Sequence, residues 1–555
     1  MLDRRARVLA SWCLLIGCGG SIGEDPGGAR PGAGDDRVPG MAVDAGRVAG
    51  EEAAGEPAMG AEDGPGGRCA EQPPVAGAVV PMRRLTAPQL SATVQDVLGA
   101  VVDYPLADET LIGYRGNTSG SLDATTARIL MTSAEDVVEE VAAALAADSR
   151  CQADCASLLL DELGPRLFRR PLDDSTRARF EALHAQGVSA EGPAGGVRWV
   201  LSAMLQSPRF LYMLEGDDGG GRLEPYSIAS RLSYALWGGP PDQALLDDAA
   251  GGALDGDEGV RAAVERMLDD ARFERGLEQF VEQWLSLEEL HDPSVRPDIA
   301  ALDEATQAAL AREPVQLLAH HVRMGSSFAR VLQVSEVADE PALSELYGED
   351  VLSSDGGRAQ LAPQRRAGLL TLPGVLAALS HAEQTSPTLR GRAVLSSLLC
   401  APPPPPPPDV NPTLPPSMPG ATTRERLEAH LTSETCAGCH RTMDGIGFAF
   451  ERFDWLGRSR ELDNGKPIDS SAELVIGEDE IMVEGAPELV QALSQRSEVA
   501  ACMARHFSRF ALSVGESDAL ACEIGELTAD GSRPLRDVLL ELMTLPWMLT
   551  RGDEG

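Results

Sequence analysis

Cys436, Cys439 and His440 are the residues whose types and spacing could do chemistry together. They belong to the pentapeptide Cys436-Ala437-Gly438-Cys439-His440, a C-x-x-C-H pattern of the kind that attaches c-type haem. Two thiols one helical turn apart can each add to a haem vinyl group, and the neighbouring imidazole then ligates the iron. On this reading Cys436 and Cys439 carry haem c covalently and His440 is the proximal ligand. Met443 would fall on the same side of the porphyrin as His440. Met482, Met503 and His506 are therefore the candidates for a sixth ligand, and an open sixth position would suit peroxidase chemistry instead. Phe448, Phe450, Phe453 and Trp455 could line a haem pocket or serve as plain core.

The same pentapeptide admits other chemistry. Zinc needs two ligands beyond one C-x-x-C, and His430, Cys502 and His506 could supply them. A thioredoxin-like pair needs alternating strands and helices around it, which the local pattern does not offer. A disulfide between Cys436 and Cys439 is the purely structural option. The chain has no G-x-S-x-G, no H-E-x-x-H and no G-x-x-x-x-G-K-[ST], so nothing points to a hydrolase or transferase, and any enzymatic role would be a redox one. His320 and His321 are adjacent, and on a helix they face different ways, which assigns them to structure or solvent. Asp255-Gly256-Asp257-Glu258 lacks EF-hand spacing and reads as solvated surface.

The elements that must position these residues are helical. The 555 residues are 43% hydrophobic and 24% charged, ordinary for globular domains, but aromatics are only 4% and Ala and Leu abound, which favours helix over strand. The net charge of −39 argues against nucleic acid and against direct binding to anionic lipid. Lys466 is the only lysine, a bias attributed to codon usage. The fold class is mainly α, with small helical modules in tandem, a C-terminal cytochrome c-like module and a small β-hairpin.

In chain order, residues 1–17 read as a lipoprotein-type signal: Arg4, Arg5 and Arg7 precede the apolar run Val8 to Gly17, too short to span a bilayer. Leu15-Ile16-Gly17-Cys18 fits a lipobox, with Cys18 lipidated. Residues 18–81 form an acidic tether poor in large apolar residues and expected to be disordered. Helical modules follow at 82–150, 151–221 and 222–358. Thr86 caps the first helix with Pro88 in its first turn, a second helix runs from about Ala124 to Ala147, and another starts near Asp174. The module at 359–468 holds the run Pro402 to Pro408, a stiff polyproline spacer, a capping box of Thr422 with Glu425, and the C-x-x-C-H. The last module, 469–555, begins with alternation over Ser470 to Glu484, which predicts a hairpin, and ends in helices. Ten cysteines, less Cys13 in the signal, Cys18 and the haem pair, leave Cys69, Cys151, Cys155, Cys400, Cys502 and Cys522. In an oxidising compartment these could form three disulfides, and Cys502 with Cys522, on helices joined by a short turn, is the expected pair.

The order of motifs resembles a multi-module family of exported bacterial proteins known as domains of unknown function 1587, 1595, 1592, 1588 and 1585. The resemblance covers nearly everything from Met82 to Leu549. It rests on R-R-L-T at Arg83 to Thr86, D-V-L-G at Asp96 to Gly99, F-R-R-P-L at Phe168 to Leu172 and L-Q-S-P-R-F-L-Y at Leu205 to Tyr212. It continues with R-L-S-Y-A-L-W at Arg231 to Trp237, R-A-G-L-L at Arg366 to Leu370, S-P-T-L-R-G at Ser386 to Gly391, C-A-G-C-H-R-T-M-D-G-I-G-F at Cys436 to Phe448 and F-D-W-L-G at Phe453 to Gly457. Gly445 stands where the family usually has Pro. The resemblance implies the architecture and a cytochrome c likeness around the C-x-x-C-H alone.

The expectation is thus an exported, lipid-anchored protein in the periplasm or at the cell surface, a monohaem c-type cytochrome-like electron-transfer protein with a redox partner protein. It would touch the membrane only through its lipid and bind no nucleic acid. The alternative is a non-catalytic envelope or surface protein, binding or structural, in which the C-x-x-C-H holds zinc or a disulfide.

Overall fold

A computed structural model describes residues 69, 74–118, 122–215, 221–404, 420–428, 434–476 and 479–552, without the side chains of 434–436. The expected signal segment, Cys18, nearly all of the tether, the Gly-rich residues 216–220, most of the proline run and His430 lie outside the described residues.

Helices dominate. The four longest described helices of the N-terminal part are α1 (Ala87–Leu98), α2 (Ala124–Ala147), α3 (Asp174–Glu191) and α4 (Pro193–Leu205). Their starts follow the polar signals in the sequence. Gln89 reaches back to accept from the Thr86 backbone N–H at 3.1 Å, and Asp123 and Asp173 cap α2 and α3, each satisfying an N–H with no partner inside its helix. The central helices include α5 (Pro225–Trp237), α6 (Arg272–Trp284) and α7 (Glu304–Arg323). The C-terminal part contains α8 (Pro387–Ala393), α9 (Thr423–Glu428), α10 (Glu434–Gly447), α11 (Ser497–Leu512) and α12 (Asp518–Thr528). None of the described helices is long and apolar enough to cross a membrane.

Strands among the described residues are short and antiparallel. The expected hairpin is present as Ser471–Ile476 with Asp479–Glu484, pairing Leu474 with Ile481 and Ala472 with Val483. Ala472, Leu474 and Val483 are buried, whereas Met482 is 69% exposed, the alternation a half-buried strand imposes. A three-stranded sheet puts Arg358–Leu361 between Glu336–Ala338 and Val351–Ser354.

Two hydrophobic cores result. The smaller gathers side chains from Leu85 to Met213 together with Tyr234. The larger runs from Leu223 to Leu549 and takes in Ala78 and Tyr114. Helix α5 stands between them: from Ser227 to Trp237 every residue is buried, with Tyr234 facing the smaller core and meeting Thr93 at 2.8 Å.

Buried arginines fasten these parts. Arg231, Arg296 and Arg366 are 0% exposed and Arg390 is 1%. Arg231 donates to both Glu215 oxygens at 2.6 and 2.7 Å and to the Met548 carbonyl at 2.9 Å. Arg366 donates to Asp350 at 2.6 Å and to the Thr371 and Gly457 carbonyls at 2.7 Å each. Arg169 bonds the carbonyls of Arg209, Phe210 and Tyr212, so F-R-R-P-L is docked onto L-Q-S-P-R-F-L-Y. A guanidinium offers five donors in a planar fork, and lysine cannot reproduce that set.

The cysteines pair otherwise than expected. Cys502 bonds Cys400, and Cys522 bonds Cys69; Cys151 with Cys155 makes the third disulfide. Helices α11 and α12 do pack together, but Cys502 faces the segment after α8 and Cys522 faces Cys69, so the expected Cys502–Cys522 bond does not form.

The Arg366 junction gives a direct expectation. Arg366→Met leaves the buried Asp350 short of its partner and should cost about 3–5 kcal/mol in urea unfolding, with Arg366→Lys recovering less than half of that. A loss below about 1 kcal/mol would contradict a clamp at this position.

Candidate functional site

The C-x-x-C-H lies inside α10, which spans Glu434–Gly447, and the geometry around it is set by α8. The two helices approach at glycines. A Cβ on Gly391 would meet the Met443 carbonyl oxygen at 1.7 Å, and one on Gly447 would meet the Pro387 carbonyl oxygen at 1.9 Å, so neither position accepts a side chain without separating the helices. Ser386 caps α8 by accepting from the Leu389 N–H at 3.2 Å, with Pro387 at the first position. Ahead of α10, Thr422 and Glu425 make the expected capping box: the Thr422 N–H reaches Glu425 at 2.8 Å and the Glu425 N–H reaches Thr422 Oγ1 at 3.2 Å.

On α10, His440 and Asp444 are four residues apart and therefore share a face. His440 Nδ1 lies 3.1 Å from Asp444 Oδ2. Asp444 is fully buried, and its other oxygen accepts from Thr388 Oγ1 at 2.6 Å. The result is a Thr388–Asp444–His440 line from α8 to the half-buried imidazole. The Asp444 hydrogen bond raises the His440 pKa above its ordinary value, against an opposing effect of burial. Cys439 carries a free, half-buried thiol packed against the main core; the side chain of Cys436 lies outside the described residues.

Behind this line sits Arg390. It donates to the carbonyls of Phe450 (2.9 Å), Phe453 (3.1 Å) and Asp454 (2.7 Å) and to Ser380 Oγ (3.0 Å). Burial pulls its pKa down to about 10. Glu451, equally buried, is raised by desolvation and held by Arg460 at 2.8 Å and by the Thr385 hydroxyl at 3.1 Å. Phe448, Phe450 and Phe453 are buried core, with Trp455 partly buried beside them.

These contacts correct the haem reading. Among the described residues, the one group of Cys, His and acidic ligand atoms close enough to share a metal is Cys400, Cys502 and His506, within 4.8 Å of one another. Its two sulfurs are bonded to each other, so neither offers a thiolate to zinc or a thiol to a haem vinyl. Both nitrogens of His506 are engaged, Nδ1 with the Tyr114 hydroxyl at 2.7 Å and Nε2 with the Ser396 carbonyl at 3.0 Å. Burial pushes its pKa down to about 4. Met503 is 3% exposed within the main core, and Met482 points outward from its hairpin. His506 and Met503, considered for the far side of an iron, are thus engaged elsewhere, while Met482 projects from the hairpin surface. The cysteines that the fold brings together, apart from the C-x-x-C-H pair, make cross-links. Neither monohaem electron transfer with haem c nor zinc as the alternative cofactor is retained.

His320 and His321 follow their structural assignment. Their rings lie edge to face at 5.1 Å, and His321, buried, meets Ser326 Oγ at 2.9 Å. Sequence reasoning did not single out Asp444 or Thr388. The four-residue step from His440 to Asp444 was a usable signal for the first. Thr388 comes from a different helix and had none.

Asp444→Asn should lower the His440 pKa to its ordinary value or below, read by NMR titration of the imidazole. The raised value means that the pair stabilises the fold fully below the unfolded-state pKa near 6.5 and that this contribution fades as pH rises through the folded-state value. An unchanged His440 titration in Asp444→Asn would contradict the pairing.

Three family models match the chain. One described as a protein of unknown function (DUF1595), PSD5, matches residues 155–215; another (DUF1592), PSD4, matches 223–348; a third (DUF1588), PSCyt3, matches 366–463. No curated protein and no solved structure matches it. Together the three models account for just over half of the 555 residues, and the chain belongs to this family of multi-domain bacterial proteins of unknown function.

Proposed function

We propose that this chain is an exported, lipid-anchored protein of the cell envelope with a non-catalytic role, structural or binding, in which paired cysteines serve as cross-links. One observation carries the reading: the disulfides close very long loops. Cys69–Cys522 joins residues 453 apart and Cys400–Cys502 joins residues 102 apart. Such bonds persist in an oxidising compartment and not in the reducing cytosol of most bacteria. The Arg-rich, then apolar start of the sequence ending at Cys18 supports export and lipidation, with the acidic stretch behind it holding the folded part away from the membrane. The absence of a described membrane-spanning helix is compatible with the lipid as sole anchor. The excess of negative charge would favour a basic or cationic partner.

The test is disulfide mapping on protein exported to the periplasm. Alkylation without reduction, then digestion and mass spectrometry, should recover Cys400 linked to Cys502 and Cys69 linked to Cys522, with Cys439 alkylated. Cutting the 102-residue loop by Cys400→Ser should cost about 4–5 kcal/mol. Cys18→Ser should move the protein from the membrane pellet to the soluble periplasm. Recovery of Cys400 and Cys502 as free alkylated thiols would overturn the reading.

A further inference from the structure

The three disulfides are unequal. Cys69–Cys522 and Cys400–Cys502 join residues 453 and 102 apart, whereas Cys151 and Cys155 are only 4 apart. The entropy that a cross-link removes from the unfolded chain grows with the loop it closes, so the short one contributes least as a staple. Its effect falls on the helix that carries it.

That helix spans Ser149–Ser157 and is capped by Asp148, whose carboxylate accepts from the Arg150 N–H at 2.8 Å. It contains no Gly and no Pro, yet at Asp154 the backbone leaves the helical region for φ −155° and ψ 93°. In an unbroken α-helix, side chains four residues apart share a face with their Cβ atoms about 5–6 Å apart, and a disulfide needs about 3.5–4.5 Å. The Cys151–Cys155 bond and an unbroken helix therefore exclude each other, and the interruption falls inside the bonded turn. Helical structure resumes at once. Asp154 Oδ1 accepts from the Ser157 N–H at 3.1 Å, as a cap does, and Leu158–Leu163 follows as a π-helix. Leu158, Leu159, Leu160 and Leu163 hold this far side in the smaller core, and Cys151 is buried in the same core on the near side. Between these anchors Gln152, Ala153 and Asp154 are exposed and Cys155 is half-buried, which opens the bond to an external thiol from the Cys155 side.

We propose that Cys151–Cys155 is a redox-active pair that exchanges with a dithiol, and that its reduction lets Ser149–Ser157 close into one continuous helix. A thiolate of the dithiol attacks Cys155 Sγ. The S–S bond breaks and its electron pair goes to Cys151 Sγ, which takes up a proton. The second sulfur of the dithiol then attacks the mixed disulfide, closing the reductant's own disulfide, and Cys155 Sγ leaves and takes up a proton. Two electrons and two protons pass from the dithiol to the pair. The bond with an exposed approach and a short loop is thus the reactive one, while the two long-loop pairs remain cross-links. The inference goes beyond the envelope role proposed above and does not depend on it.

The test uses the exported, disulfide-bonded chain, treated with graded dithiothreitol and then alkylated, with each cysteine pair followed by mass spectrometry. Cys151 and Cys155 should become alkylated at a dithiothreitol concentration at least tenfold below that which opens Cys69–Cys522 or Cys400–Cys502, and oxidised dithiothreitol should re-form the pair. Hydrogen exchange reads the structural half: selective reduction should slow exchange at the amides from Cys155 to Ser157 at least tenfold. A double variant, Cys151→Ser with Cys155→Ser, cannot form the bond and should show the same slowed exchange with no dithiol present. Reduction of this pair only together with the other two, or selective reduction with unchanged exchange at those amides, would overturn the proposal.

Discussion

The fold depends on guanidinium groups placed out of contact with water. A buried charge is tolerated only when its hydrogen-bonding capacity is filled by well-aimed acceptors. Arg231 and Arg366 meet that demand by drawing in acceptors from loops far away in the chain, and Arg390 does so through both Nη atoms, its buried Nε having no partner. Arg231 ties α5 to Met548, Arg366 ties the start of its module to Gly457, and Arg390 gathers Phe450, Phe453 and Asp454 beneath α8. Short helices linked by irregular segments have many carbonyls with no partner of their own. One arginine satisfies several at once and fixes their mutual position.

That dependence explains why certain motifs stand out in the sequence. F-R-R-P-L, R-L-S-Y-A-L-W, R-A-G-L-L and S-P-T-L-R-G each contribute one such arginine, and their partners include residues of other motifs: Tyr212 for Arg169, and Phe453 for Arg390. The family resemblance is therefore carried largely by packing junctions. It conveys architecture well and chemistry poorly. The scarcity of lysine, attributed to codon usage from the sequence alone, coincides with a fold in which lysine could not replace arginine at these junctions.

Much of the local structure was legible. Thr86, Asp123, Asp173 and Thr422 mark helix starts because capping is a contact within a few residues, and the alternation from Ser471 to Glu484 reports a half-buried strand pair directly. What stayed hidden was set by tertiary approach. Cys502 and Cys522 sit on neighbouring helices, yet which way each sulfur points depends on packing that local spacing does not encode. The same holds for Thr388 reaching Asp444. The C-x-x-C-H was the strongest chemical signal in the chain. It led the reading toward haem, whereas the cysteines that determine the architecture are the distant pairs.

The cross-links and the arginine clamps act in complementary ways. The clamps align segments in the folded chain, while the Cys400–Cys502 and Cys69–Cys522 bonds limit the conformations open to the unfolded one. A protein so constrained suits a compartment without intracellular repair, where persistence matters. The most direct measurement is the intact mass of the mature protein after export in a host that matures c-type cytochromes. The account predicts the mass of the lipidated polypeptide less six hydrogens, two for each of the three disulfides. A mass higher by one covalently retained haem would contradict it.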